Sequence, residues 1–108
     1  MAWVLLTVAG ILEVVWATSM KESQGFTRLA PSVVTLAAMI ASFTLLSIAM
    51  KSVPLGTAYP IWTGIGAVGA FVVGVLVLGE RVSALRIVAA LLIVSGVVLM
   101  KLTSRATD

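Results

Sequence analysis

The sequence predicts an all-α membrane protein of four transmembrane helices. Composition and segment arithmetic lead there. Of the 108 residues, 61% are hydrophobic and only 10% are charged, whereas an ordinary soluble domain is roughly 45–50% apolar and about 25% charged. A spanning helix takes about 20 apolar residues, so four of them use roughly 80 and leave only short loops and tails. The few charges fall between the apolar runs, with a single exception. This balance excludes a soluble globular enzyme, a disordered chain and a disulfide scaffold. With no Cys and no His, the usual soft metal sites and the usual near-neutral proton carrier are absent, so no metal and no cofactor are expected.

The first helix is expected over residues 2–20, a run interrupted only by Glu13 and closed by Lys21. A cleaved signal peptide would open on basic residues and end on small ones, so this run reads as a retained helix. Residues 21–30 (KESQGFTRLA) are polar, carry Gly25 and read as a loop. The second helix is expected over 31–50, with Pro31 in its first turn, where a missing N–H costs nothing. Residues 51–56 (KSVPLG) read as a turn because Pro and Gly stand together. The third helix is expected over 57–78, which puts Pro60 in its first turn and breaks no hydrogen bond. Residues 79–83 (GERVS) form a polar turn in which Ser83 suits an N-cap. The fourth helix is expected over 85–102. Its uninterrupted apolar run, 87–100, is 14 residues long, so it spans only if Arg86 and Lys101 snorkel to opposite interfaces. The tail, 103–108, is too short for a domain, so the chain reads as one domain over 1–108.

Short loops make successive helices antiparallel and put both termini on one side. That side receives Lys51, Lys101 and Arg105; the other receives Lys21, Arg28, Arg81 and Arg86. The Lys/Arg bias sets orientation, and three against four is almost none. Either the chain still inserts one way, or it inserts both ways and two opposed copies form the inverted symmetry that many transporters hold within one chain. The net charge of +3 belongs to the loops and gives no sign of nucleic-acid binding.

Glu13 is the one ionisable group deep in a span. About 11 residues at 1.5 Å each place it roughly 17 Å along the helix, near the middle of a hydrocarbon core about 30 Å thick. Desolvation there favours the neutral acid. Such a residue is either interhelical glue or the site of a functional exchange of a proton for a cation. Gly10, Trp16 and Ala17 share its face. Gly10 leaves space beside the carboxylate; Trp16 either offers its indole N–H to it or packs. Ser42 lies at similar depth on the second helix and either holds Glu13 or bonds back to its own helix. Tyr59 and Trp62 share a face of the third helix, as cation-attracting aromatics or as an interfacial belt. Gly64, Gly66, Gly69 and Gly74 follow. Together with Ala70 they permit close contact or a bend that serves as a hinge. On the fourth helix Ala89 and Gly96, seven apart, offer one smooth face suited to dimer contact.

The run Glu13-Val14-Val15-Trp16-Ala17, the loop Gly25-Phe26-Thr27-Arg28-Leu29 before Pro31-Ser32, and Gly56-Thr57-Ala58-Tyr59 with Trp62-Thr63-Gly64-Ile65-Gly66 together resemble the small multidrug resistance family. Trp16 and the run from Trp62 to Ala67 resemble its guanidinium-exporter subtype. The resemblance implies an antiparallel homodimer of dual topology in a bacterial inner membrane, exporting a small guanidinium-like cation in exchange for protons. It also implies that Glu13 is the shared proton and substrate site, hydrogen-bonded by Trp16 and Ser42. Tyr59 would switch between the open sides, and Trp62 and Gly10 would line the pocket. Ala89 replaces the first glycine of the family's dimer-contact pattern, and Pro60 stands where many relatives have Ala. The alternatives to guanidinium export are a broad exporter of hydrophobic quaternary ammonium cations and a non-transporting assembly subunit.

Overall fold

The computed structural model describes residues 1–104; the charge of Arg105 and the rest of the tail lie outside the described residues. Four helices follow in order: α1 (Ala2–Glu22), α2 (Leu29–Ala49), α3 (Leu55–Leu76) and α4 (Ala84–Thr103). Each is long and apolar enough to cross a membrane.

The helix ends differ from the hydropathy boundaries by one or two residues; α2 and α3 each start two residues earlier than expected and end at Ala49 and Leu76 in place of 50 and 78. α1 continues through Lys21 and Glu22, because both are good helix formers and a helix end at the interface has no need to be apolar. Lys21 also sits in the last turn, where a cation complements the helix dipole. α2 begins at Leu29, so Pro31 is its third residue and still within the first turn. α3 begins at Leu55, with Pro54 as N-cap. That corrects the reading of Pro60. As the sixth helical residue it lies in the second turn, and the Gly56 carbonyl loses the N–H it would otherwise accept from position 60. Gly56 is exposed, so this carbonyl can be solvated. In α4 the Ser83 hydroxyl accepts the Arg86 N–H at 3.3 Å, which is the N-cap expected from the sequence.

The α1–α2 loop is built around Ser23. Its buried hydroxyl donates to the Met20 carbonyl at 2.7 Å and accepts the Phe26 N–H at 3.0 Å. Gln24, Gly25 and Phe26 all have positive φ, at 49°, 75° and 67°. Only the glycine adopts that region freely.

α1 packs against both α2 and α3, while the backbone of α4 approaches α3 alone. Leu6 and Ala9 meet Leu46, Ala49, Val53, Ala58, Ile61 and Trp62 in one small core. This core lies at the N-terminal end of α1, so α2 runs antiparallel to α1. No residue of α4 is buried. The subunit is a slab of 44 × 34 × 17 Å.

Candidate functional site around Glu13

Glu13 is brought against α3 by glycine. A Cβ built on Gly66 would stand 2.7 Å from Glu13 Cγ and would overlap its carboxyl group. The carboxylate therefore lies directly on the α3 backbone, and only a residue without a side chain allows it. Glu13 Oε1 is buried with no hydrogen-bond partner, and so is the indole Nε1 of Trp16. A buried acceptor and a buried donor thus stand three residues apart on one helix without engaging each other. Buried polar atoms are nearly always paired, so two such atoms together call for an explanation.

Three expected contacts are corrected. Trp16 does not donate to Glu13; its ring packs edge-on against Phe43, centroids 6.2 Å apart. Ser42 does not hold Glu13 either, nor does it bond back to its own helix. Its fully buried hydroxyl donates to the Ala9 carbonyl of α1 at 2.7 Å and accepts the Trp62 indole N–H at 3.0 Å. A serine has one proton to give, and here it is committed. The space over Gly10 is filled by Ile65 of α3, whose Cγ2 would stand 2.5 Å from a Cβ at position 10. Gly10 thus lets α1 and α3 approach rather than making room for the carboxylate.

Tyr59 and Trp62 do share a face, with ring centroids 5.6 Å apart. Trp62 continues to Phe43 at 5.7 Å, and Phe43 to Trp16. Four rings thus form a chain from the half-exposed Tyr59 to the helix face that carries Glu13. Phe43 is the link that the sequence reading lacked. Its only signal was adjacency to Ser42, which says nothing about the direction of the ring. The sequence makes Gly66 a packing or hinge residue; in the structure it is the floor of the carboxylate.

Of the remaining expected positions, Gly64, Gly69 and Gly74 are packing positions in this structure, whereas Gly96 and Ala89 are not. Gly64 meets Val97 of α4, with a built Cβ 2.5 Å from Val97 Cγ2, and Gly69 meets Val14 of α1. Gly74 faces Glu80 of the following turn. Gly96 faces open space, with nothing within 4 Å of a built Cβ. Ala89 is exposed at the side of a cavity between α1, α3 and α4.

The family model described as Small Multidrug Resistance protein matches residues 1–93. Among curated relatives, the guanidinium exporter of Citrobacter freundii is 54% identical over 104 residues, covering 96% of this chain and 99% of the relative. The guanidinium exporter of Salmonella typhimurium matches at the same identity and coverage. That of Yersinia pseudotuberculosis serotype I is 55% identical over 104 residues, covering 96% of this chain and all of the relative. With four helices fit to span a membrane and a match of this extent, the chain belongs to the small multidrug resistance family and is a multi-pass membrane transporter, not an enzyme.

Proposed function

We propose that this chain exports guanidinium and small substituted guanidinium cations in exchange for protons. The observation that carries this reading is the orphaned Glu13 Oε1, buried against Gly66 in the middle of an apolar span. An unpaired carboxylate oxygen accepts either a proton or a cationic N–H. Guanidinium is planar and presents paired N–H donors that match a carboxylate. Both ligands compete for the same oxygens, and that competition is the coupling. The relatives named guanidinium exporter, similar along nearly the whole chain, support the choice of substrate.

In this proposal Trp16, Phe43, Trp62 and Tyr59 form the aromatic wall that attracts a desolvated cation. Ser42 positions Trp62. Gly64, Gly66 and Gly69 let α3 shift against α1 and α4 as access alternates. The working unit is an antiparallel homodimer of dual topology in a bacterial inner membrane, each chain contributing one domain. The unburied α4 and the open side of Gly96 support a second copy, which would contact Ala89 and Gly96. The near-equal Lys/Arg count on the two sides supports insertion in both orientations.

The decisive experiment is Glu13→Gln in purified protein. The variant should insert and fold, yet release no proton on addition of guanidinium and give no guanidinium-driven current on supported membranes. Undiminished proton-coupled transport would overturn the mechanism.

A further inference from the structure

A cavity of about 460 Å³ opens between the C-terminal ends of α1 and α3 and the N-terminal half of α4. Glu13 does not line it. Its walls are apolar and come from Ala67, Ala70, Phe71, Ala90 and Ile93. Its charged residues are Lys21, Glu80 and Arg86, and all three belong to one end: the last turn of α1, the turn after α3, and the first turn of α4. Ile93 lies nine residues beyond Ala84, the first residue of α4. At 1.5 Å per residue the apolar part therefore reaches about 14 Å into the membrane from the charged end. The space is amphipathic: charged at the interface and greasy as far as about mid-depth.

The charges are not balanced at the mouth. Arg86 lies over the Phe71 ring, its guanidinium carbon 5.8 Å from the centroid, so the cation borders the cavity wall. Glu80 is folded back on α3 instead. Its N–H donates to the Gly74 carbonyl at 2.9 Å, and its carboxyl lies over Gly74, where a built Cβ would stand 2.5 Å from Oε1. Two cations thus face one carboxylate that is drawn against a helix. A guanidinium-like cation would meet net repulsion here. A basic pocket between transmembrane helices, continuous with an apolar groove, suits an anionic lipid.

We propose that this cavity binds an anionic phospholipid, with its phosphate between Lys21 and Arg86 and one acyl chain along the groove between α3 and α4. The site is independent of the transport reading; it requires only that the helices span a membrane. It commits the groove between α3 and α4 to lipid and leaves to a second copy the α4 face of Ala89 and Gly96, of which Ala89 stands at the side of the cavity and Gly96 outside it.

The test is lipid retention by the purified full-length protein in neutral detergent, read by native mass spectrometry with phosphatidylglycerol and phosphatidylcholine supplied in equal amounts. Each basic side chain near an anionic headgroup is worth about a five-fold preference. The unmodified chain should retain phosphatidylglycerol over phosphatidylcholine at least about five-fold. Lys21→Gln with Arg86→Gln should abolish the preference, Arg86→Lys should keep it, and Glu80→Gln should raise it. Ala90→Phe, which fills the groove, should lower retention of both lipids. Excess glycerol phosphate should displace neither. If the double variant fails to fold, the single variants Lys21→Gln and Arg86→Gln decide: each should lower the preference, where Glu80→Gln raises it. Equal retention of the two lipids overturns the proposal, as does a preference that survives loss of both cations or displacement by glycerol phosphate. Lipid adducts confined to monomers and missing from dimers would assign the groove to the second copy.

Discussion

Gly66→Ala puts a methyl group where the Glu13 side chain already lies. The new Cβ would stand 2.7 Å from Glu13 Cγ, whereas carbon atoms pack no closer than about 3.5 Å, so the side chain must retreat by about 1 Å. Overpacking of this kind costs about 1–3 kcal/mol, and Ala recovers about 1 kcal/mol over Gly through helix propensity. The net loss of stability is therefore about 0–2 kcal/mol, and the protein should still fold. A misplacement of about 1 Å at a working group, by contrast, can cost on the order of 100-fold. Thermal unfolding in detergent reads the first quantity; guanidinium-driven current on supported membranes, titrated with substrate, reads the second. Gly69→Ala is the control, because its Cβ would collide with Val14 instead of Glu13. It should lose stability and slow turnover while keeping the apparent affinity for guanidinium. The reasoning fails if Gly66→Ala transports guanidinium with unchanged apparent affinity, or if Gly69→Ala weakens that affinity as much.

Three further outcomes are expected. Ser42→Ala leaves the buried Trp62 indole N–H without its acceptor and should destabilise the protein by about 1–3 kcal/mol in denaturant unfolding; an unchanged midpoint would remove Ser42 as the residue that positions Trp62. A C-terminal tag on the unmodified chain should be found on both sides of the membrane by protease protection, and a tag on one side only would refute dual insertion. Guanidinium should drive current where tetraphenylphosphonium does not, since a cation without N–H leaves the carboxylate acceptors unpaired at about 1–3 kcal/mol or more; equal currents from both would favour broad multidrug export.

The four helices were legible because a bilayer leaves little choice. Every backbone polar group in the hydrocarbon must be paired within the segment, so apolar runs of sufficient length become helices. The helix ends were less legible because hydropathy is not what sets them. Lys21 and Glu22 extend α1, and Leu55 and Gly56 extend α3, through hydrogen bonds that an interface permits to any residue. The shift at α3 amounts to two residues, yet it moves Pro60 from the first turn to the second and changes what that proline does to the helix. Ser83 was legible because a cap is a local matter, settled by a hydroxyl and an N–H three residues away.

The site divides along the same line between local and distant contacts. Glu13 announces itself by its charge and depth, and i±3 spacing places Gly10 and Trp16 beside it on α1, yet Gly10 meets Ile65 of α3 and Trp16 meets Phe43 of α2. Which residue of another helix meets that face depends on helix rotation, which the spacing within one helix does not fix. Thus Ser42, at the right depth, turns to Ala9 and Trp62. Ile65 takes the space over Gly10, and Gly66 receives the carboxylate. The result leaves one acceptor and one donor, Glu13 Oε1 and Trp16 Nε1, buried and unmet on the same helix. The two atoms make different demands on a ligand. A bound proton or a guanidinium N–H satisfies the carboxylate, but neither supplies an acceptor for the indole. Occupancy of Glu13 alone therefore leaves Trp16 a free donor.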